Sequence, residues 1–308
     1  MRTTRRYLSP LLAFLLLLGF VAACGDDDDD GGDGAVEPES SEPADDAPEF
    51  EEGTTMAELQ EAGTMTVGTK FDQPLFGLRS ATSGEIEGFD VEIARLIAEG
   101  IFGEGGGDNI EFVEAPSRVR EEVIEQGDVD LVVATYTIND ERKERIDFAG
   151  PYYVAGQDIM VEAGDDSIKG IEDLNGKKVC SVQGSTSLDN LTEMAPEADA
   201  SLTFDTYSLC AEALGDGRVD AVTTDNVILL GLVDDSDGAF ELVGNTFTDE
   251  PYGIGLARGD DEFREFLNDR LEEIYDSGEW AEAYAETAGT VDDSDPEPPD
   301  VDRYESAG

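Results

Sequence analysis

Two patterns of hydrophobic and polar positions alternate through the central part of the chain. Short apolar runs typical of buried strands lie at Met65–Thr69, Ile110–Glu114, Asp130–Thr137, Ile159–Glu162, Lys178–Gln183, Ala221–Thr224 and Gly253–Ala257. Amphipathic stretches with helical spacing separate them, at Val91–Ile101, Arg120–Gln126, Ser187–Met194, Leu209–Leu214, Asn226–Leu232 and, interrupted by Gly278, Phe263–Ala285. Strands that alternate with helices predict an α/β fold with parallel sheets covered on both faces. Ligands of such folds bind beyond the carboxyl ends of the strands.

The start of the chain has the pattern of an export signal. Arginines at positions 2, 5 and 6 precede an apolar run, Leu11–Ala23, which is too short to span a bilayer as a helix. Small residues, Val21-Ala22-Ala23, then lead into Cys24, which resembles the bacterial lipobox. We therefore predict a lipoprotein signal peptide at 1–23 and lipidation of Cys24. The alternative is an ordinary signal peptide that contains a cysteine.

Both flanks of the folded region are acidic and poor in apolar residues. Residues 25–52 are rich in Asp, Glu, Gly, Ser and Pro, and the segment from Val291 onward has a similar composition. Such segments bury too little apolar surface to offset the entropy of ordering. We therefore predict a disordered acidic tether at 24–55 and a disordered acidic tail at 289–308.

The composition excludes several classes of function. The chain has no histidine, 74 acidic and 19 basic residues, and a formal net charge of −55. Histidine-based catalysis and most zinc sites are therefore excluded, and nucleic acid is a poor partner. Neither a P-loop nor a dinucleotide-binding glycine motif is present, so we expect no cofactor and no metal. Beyond Cys24, the remaining cysteines, Cys180 and Cys210, form an even pair that predicts a disulfide outside the cytoplasm, with two buried thiols as the alternative.

Several short segments resemble the family 3 amino-acid-binding proteins of ABC transporters. They occur in the family's order, at 88–94 (GFDVEIA), 127–130 (GDVD), 135–142 (TYTINDER), 147–153 (DFAGPYY), 184–187 (GSTS) and 220–225 (DAVTTD). Within the family, the segment 70–74 (KFDQP) and the pair Cys180 and Cys210 are similar to actinobacterial glutamate-binding lipoproteins. The resemblance covers nearly the whole predicted folded region.

The resemblance implies a two-lobe, type II periplasmic-binding-protein-like fold. Two hinge strands would join the lobes, and the ligand would lie in the interlobe cleft. Lobe 1 would comprise residues 56–154 and 250–288, and lobe 2 residues 155–249, with crossings near 154–158 and 246–251. The expected protein is a monomer that binds a small amino acid and delivers it to the permease and ATPase subunits of an ABC importer. It would lie on the extracytoplasmic face and reach the membrane only through its lipid.

The resemblance also assigns the groups that bind the α-amino acid core. Arg142 would hold the α-carboxylate through its two-pronged guanidinium, helped by the Thr137 hydroxyl and, in the same segment, Thr135. Asp225 would accept from the ammonium, and its alternative role is a plain helix cap. Ser185 and Thr186, at a strand-to-helix turn, would bind a carboxylate or serve as caps. For Arg142 the alternative is a solvated residue in a charged run.

Side-chain selectivity would depend on Lys70, which follows the first strand, and on Arg120, whose alternative is a surface arginine. Phe71 and Phe76 could pack on the ligand, although ordinary core positions are at least as consistent with the sequence. The favoured ligand is glutamate or aspartate, with glutamine and asparagine left open. Two alternatives remain: a dehydratase-like enzyme acting on a small carboxylate on the same fold, and a ligand sensor for a receptor.

Overall fold

The computed structural model describes residues 47–304. Its α-helices are α1 (Thr55–Ala62), α2 (Phe89–Phe102), α3 (Arg120–Gln126), α4 (Asp140–Lys143), α5 (Thr186–Met194), α6 (Tyr207–Gly215), α7 (Asn226–Asp234), α8 (Asp261–Ser277) and α9 (Glu279–Glu286). Its strands are β1 (Met65–Thr69), β2 (Asp72–Gln73), β3 (Gly77–Arg79), β4 (Ile86–Glu87), β5 (Ile110–Glu114), β6 (Leu131–Val132), β7 (Asp147–Ala155), β8 (Gln157–Glu162), β9 (Val179–Cys180), β10 (Ala221–Asp225), β11 (Phe240–Leu242) and β12 (Glu250–Leu256).

The first lobe is built on a five-stranded sheet in the order β5-β1-β6-β12-β7. Strands β5, β1 and β6 are parallel, whereas β12 runs antiparallel to both β6 and β7. The apolar faces of α2, α8 and α9 pack on this sheet, and Trp280 and Phe89 are among the fully buried side chains. Strands β2, β3 and β4 form a small separate antiparallel sheet beside it.

The second lobe is built on a four-stranded sheet in the order β11-β8-β10-β9. Strand β10 is parallel to β9 and antiparallel to β8. Both sheets are therefore mixed, which corrects the expectation of parallel sheets. The antiparallel strands include those beside the two crossings between the lobes: β7 and β12 in the first sheet, and β8 and β11 in the second.

Two chain segments connect the lobes. Strand β7 leads through Gly156 directly into β8, and the chain returns along residues 243–249 into β12. The segments lie so close that a Cβ atom on Gly156 would come within 2.8 Å of Thr246 Cβ and 2.9 Å of the Thr248 carbonyl oxygen. Only glycine fits at this position without a shift of the neighbouring chain. The two-lobe α/β architecture with two hinge segments agrees with the predicted fold class.

The second lobe contains the expected disulfide, between Cys180 on β9 and Cys210 on α6. Both cysteines are buried in one hydrophobic cluster with Met160 and Val222. The disulfide therefore joins the edge of the sheet to the helix that covers it.

The described ends of the chain differ from the expected disorder. Phe50 packs edge-on against Phe266, with 5.4 Å between ring centroids. Near the C-terminus, the Tyr304 hydroxyl accepts a hydrogen bond from the Phe148 amide at 2.7 Å, and Arg303 pairs with three acidic residues of α8. Tyr304 thus binds the C-terminal segment to β7 and Arg303 binds it to the acidic helix α8, contacts that overall composition did not indicate.

Within residues 47–304, no helix is both long enough and apolar enough to cross a membrane. The predicted signal peptide, the lipidation site Cys24 and most of the predicted tether lie outside the described residues. They remain predictions from the sequence.

Candidate functional site

The predicted site residues meet between the two lobes. Lys70 follows β1, Thr135 and Thr137 follow β6, and Asp225 ends β10, so these side chains lie at carboxyl ends of strands. Contacts across the lobes join the groups: Arg142 Nη2 donates to the Gly184 carbonyl oxygen at 3.3 Å, and the Thr186 and Thr137 hydroxyl oxygens are 3.5 Å apart. The structure therefore places all eight predicted ligand-binding residues around one interlobe region.

Lys70 is a buried amine that makes no ion pair within residues 47–304, although Asp72 and Asp90 are near enough to act on it electrostatically. Its side chain is 3% exposed, and Nζ donates to Ser117 Oγ at 2.8 Å. Among residues 47–304, no carboxylate oxygen lies within the 4.0 Å of an ion pair with Lys70. Burial, reinforced by the positive charge of Arg120, lowers the pKa of Lys70 to about 7. An anion placed beside it would restore the charged form.

Arg120, whose alternative was a surface position, is buried. Nη1 donates to the Ala134 carbonyl oxygen at 2.9 Å, and the guanidinium carbon lies 4.0 Å from the centre of the Tyr136 ring. Nε has no acceptor in the described part of the protein. Burial, followed by repulsion from Arg142, lowers the pKa of Arg120 to about 10. Arg120 is therefore a second cation close to Lys70.

Arg142 is also buried rather than solvated. Its Nη1 donates to the Thr137 carbonyl oxygen at 2.5 Å, and its Nε lies 3.4 Å from Glu121 Oε1. The short helix α4 presents it, because the Asn139 side chain accepts the Arg142 amide at 2.8 Å and caps that helix. The contact with Glu121, which holds the Arg142 guanidinium in place, could not be predicted from the sequence.

Thr135 has a left-handed backbone conformation, with φ of +46°. Asp90 holds it there: its carboxylate accepts the Thr135 amide at 2.8 Å and the Tyr152 hydroxyl at 2.6 Å. Burial raises the pKa of Asp90 to about 7. In the sequence, Asp90 is recognisable only as part of the segment 88–94 that opens a helix, and nothing there indicates this supporting role. A non-glycine residue held at positive φ is a feature that clusters at functional sites.

Asp225 occupies the N-cap position of α7 but does not cap the helix with its side chain. Instead, Oδ2 accepts the Tyr252 hydroxyl at 2.7 Å, while Oδ1 has no partner among the described residues. The side chain is 3% exposed, and burial followed by repulsion from Glu250 raises the pKa of Asp225 to about 7. The geometry does not support the alternative capping role.

Ser185 is placed to cap a helix, whereas Thr186 is placed to contact a ligand. The Ser185 side chain caps α5 by accepting the Leu188 amide at 3.1 Å, so its hydroxyl serves the helix. The Thr186 hydroxyl donates to Glu250 Oε2 at 2.9 Å and faces Thr137 across the cleft. Thr186 is therefore the better placed of the two hydroxyl groups to contact a ligand.

The two aromatic candidates differ in position. Phe76 is fully buried in the core of the first lobe, edge-on to Phe89 and Tyr252. Phe71 is partly exposed, with the Arg79 guanidinium 3.9 Å from its ring centre. The core interpretation therefore fits Phe76.

The polar groups form two regions of opposite charge. Lys70, Arg120 and Arg142 form a cationic region, and Asp225 with Glu250 forms an anionic one. Within residues 47–304, a few buried side-chain polar atoms have no hydrogen-bond partner. Most of them lie in this part of the protein, namely Thr69 Oγ1, Arg120 Nε, the Tyr136 and Tyr207 hydroxyls and Asp225 Oδ1. A cavity of about 250 Å³ adjoins Arg142 and is also lined by Ser117, Glu121, Gly184 and Asp189, whereas Lys70, Arg120 and Asp225 are not among its lining residues. The arrangement suits a small zwitterion with additional negative charge.

Comparison with known proteins agrees with this geometry. Residues 65–290 match the sequence profile of the bacterial extracellular solute-binding proteins, family 3. The chain belongs to that family. It is 42% identical over 231 residues to the ABC transporter glutamine-binding protein GlnH of Bacillus subtilis, which covers 75% of this chain and 83% of that protein. It is 41% identical over 237 residues to the glutamate-binding protein GluB of Corynebacterium glutamicum, covering 74% and 80%.

Solved structures of amino-acid-binding proteins share the fold. An ancestral arginine-binding protein, solved with arginine and with glutamine, is 38% identical, with a TM-score of 0.67 and coverage of 73% of this chain and 97% of that one. The solute receptor for L-cysteine of Neisseria gonorrhoeae is 29% identical, with a TM-score of 0.73 and coverage of 80% and 99%. An ancestral amino-acid-binding protein described as a precursor of cyclohexadienyl dehydratase, at 30% identity and TM-score 0.67, covers 76% and 99%. The protein is thus an amino-acid-binding solute-binding protein of the ABC transporter type.

Proposed function

We propose that the bound amino acid is acidic, with glutamate preferred over glutamine, and that the protein presents it to an ABC permease. The observation that carries this proposal is Lys70, a buried ammonium whose hydrogen bond in the described structure goes to a neutral hydroxyl. Relatives named for glutamine and for glutamate are almost equally similar to this chain, so overall identity does not choose between the two ligands.

The choice depends on the charge beside the ligand's distal group. A carboxylate near Lys70 and Arg120 would make a charge-assisted hydrogen bond, roughly twice as strong as one from a neutral amide. Burial disfavours the charged form of Lys70, as its lowered pKa of about 7 indicates, and a carboxylate beside it would restore the charge. Glutamate would therefore gain a charge-assisted contact that glutamine cannot make, since beside glutamine the lysine can lose its proton.

The α-amino acid core, which both ligands share, would be bound by Arg142, Thr137, Thr135, Thr186 and Asp225. Arg142 faces the cleft from α4, and on the opposite lobe Asp225 has a carboxylate oxygen without a hydrogen-bond partner among the described residues. A charged ligand held by groups of both lobes would favour their closed arrangement, which is the form expected to deliver it.

Two variants distinguish these roles by calorimetry. Lys70→Met should reduce the glutamate-to-glutamine affinity ratio by at least about tenfold, the equivalent of about 1.4 kcal/mol. Arg142→Met should weaken both ligands and leave the ratio nearly unchanged. Lys178→Met, which removes the same charge from an exposed position on the second lobe, is the matched control and should change neither value. An unchanged ratio in Lys70→Met would show that the ligand's distal group does not meet this lysine.

The enzyme alternative has a direct test. Glutamate or aspartate incubated with the purified protein should be recovered intact, as judged by mass spectrometry of the small-molecule fraction. A product that accumulates with time in proportion to protein concentration would favour the dehydratase-like alternative.

The lipid anchor at Cys24 is proposed from the sequence alone. In a bacterial host that processes lipoproteins, the wild-type protein should partition with membranes and into detergent. Cys24→Ser should be released in aqueous fractions. Equal partitioning of the two proteins would refute lipidation at this cysteine.

A further inference from the structure

Glu250, at the start of β12, is a buried carboxylate that sequence reasoning did not single out. Its side chain is 2% exposed, and it receives three hydrogen bonds from neutral donors. The Thr186 hydroxyl donates to Oε2 at 2.9 Å, and the Thr248 hydroxyl and Asn190 Nδ2 donate to Oε1 at 2.8 and 3.1 Å. Within residues 47–304, no basic nitrogen lies within the 4.0 Å of an ion pair with it.

The position of Glu250 connects the hinge to the cleft. Thr248 precedes the same strand, whereas Thr186 and Asn190 belong to α5 of the second lobe. Asn190 Nδ2 also donates to Gln157 Oε1 at 2.9 Å, at the start of β8. Both hinge segments and the first turns of α5 therefore meet at this carboxylate, which fixes the hydroxyl of Thr186.

Glu250 also acts on Asp225 through its charge. After burial, repulsion from Glu250 is the largest cause of the raised pKa of Asp225. The other groups that face Asp225 are Tyr252, Tyr207, Arg142 and Arg120. The charge of Glu250 thus disfavours the charged form of Asp225, and a cation placed near both carboxylates would relieve the repulsion.

We propose that Glu250 is a positioning and specificity residue for the ligand's α-ammonium, acting through the Thr186 hydroxyl and the charge of Asp225. The anionic region would then select a dicarboxylate that carries an ammonium group from one that carries a 2-hydroxyl group in its place. This inference deepens the proposed function, since it assumes that the α-amino acid core lies between Asp225 and Arg142. It does not depend on the identity of the distal group.

The test compares glutamate with 2-hydroxyglutarate by calorimetry, in wild type and Glu250→Gln. The variant should lose about tenfold in affinity for glutamate, the low end of the coupling seen for close buried charge pairs. Its affinity for 2-hydroxyglutarate should change much less. The ratio of the affinity for glutamate to that for 2-hydroxyglutarate should therefore decrease. The acid side of the pH profile for glutamate should also move to lower pH, because Asp225 would lose a repulsive neighbour and ionise more readily.

Controls separate this role from a purely structural one. Glu241→Gln, on exposed β11, changes the net charge equally and should leave the ratio unchanged. A Glu250→Gln protein that melts at a lower temperature but keeps both the wild-type ratio and the wild-type pH profile would overturn the proposal. If that variant does not fold, Thr186→Val must narrow the same ratio, and an unchanged ratio there would equally overturn it.

The experiment is independent of the acidic-ligand proposal. If wild type prefers glutamine, the comparison is made between glutamine and its 2-hydroxy analogue, and the same narrowing is expected. If Lys70→Met does not alter the glutamate-to-glutamine affinity ratio, the distal-group assignment is refuted. The role of Glu250 is then still decided by the affinity ratio between the amino acid and its 2-hydroxy analogue.

Discussion

Asp72 of the first lobe caps a helix of the second. Its Oδ2 accepts the backbone amides of Tyr207 at 3.0 Å and Ser208 at 3.5 Å, at the start of α6. The residue at the N-cap position of that helix, Thr206, makes no capping hydrogen bond with its own side chain. The first amides of α6 therefore obtain an acceptor only while the lobes are together, and opening the cleft would remove it.

The expected magnitude follows from the cost of losing a cap. Replacing an Asp cap by Ala costs about 1 kcal/mol in helices generally. Since this hydrogen bond joins the lobes, losing it should destabilise the closed arrangement by that amount. The dissociation constant of the ligand should then rise about fivefold. Asp72 also lies near Lys70 and raises its pKa, so Asp72→Ala alone would mix two effects. Asp72→Asn removes the charge but keeps an acceptor of equal capping strength.

The assay is therefore the ratio of dissociation constants for Asp72→Ala and Asp72→Asn, measured by calorimetry, with dissociation rates from stopped flow. We expect a ratio of about five, expressed as faster dissociation from the Ala variant. Asp260→Ala, which removes the cap of α8 inside the first lobe, is the matched control and should lower the melting temperature without changing affinity. Equal affinities for the two Asp72 variants would refute the interlobe cap.

Three further results are expected. Cys180 and Cys210 should resist alkylation until reduced, and replacing both by Ser should cost about 3–4 kcal/mol by loop entropy; alkylation without reduction would contradict this. Tyr304→Ala should lower the free energy of unfolding by about 1–3 kcal/mol and leave binding unchanged, because only contacts within the first lobe are lost; unchanged thermal unfolding would contradict it. Glutamate affinity should fall on both sides of about pH 7, since protonating Asp225 below it weakens ammonium binding and deprotonating Lys70 above it weakens the distal contact; a flat profile from pH 5.5 to 8.5 would contradict it.

Local pattern predicted much of the fold. The predicted bounds of β1, β5 and α3 match those observed, because each is a regular apolar or amphipathic run flanked by polar residues. Gly278 interrupts the last helical stretch as expected, with a left-handed φ of +88° between α8 and α9. The direction of β12 could not be predicted in this way, because periodicity does not report which neighbour a strand pairs with.

Where prediction failed, the cause was contact between residues distant in sequence. The apolar run 130–137 predicted one continuous strand, but β6 covers only Leu131–Val132. Beyond Val132 the chain turns into a left-handed conformation at Thr135, whose amide is held by Asp90, 45 residues earlier in the sequence. A side chain that fixes the backbone from such a distance leaves no local signal in the sequence.

In the candidate site, too, local motifs indicated some residues, whereas others depend on partners distant in sequence. Motif register brought Lys70, Arg142 and Asp225 to attention, and the structure places them around one cleft. Their ligand roles remain predictions. The supporting residues Asp72 and Glu250 were not distinguishable among 74 acids, because their roles depend on partners in the opposite lobe.

The central claim is that Lys70, a buried lysine with no ion pair within residues 47–304, selects an acidic amino acid. The most direct measurement is calorimetric titration of the wild-type protein, freed of any co-purified ligand by unfolding and refolding, with glutamate and with glutamine at pH 7. The environment of Lys70 predicts that glutamate binds at least about tenfold more tightly. Equal affinities, or tighter binding of glutamine, would contradict it.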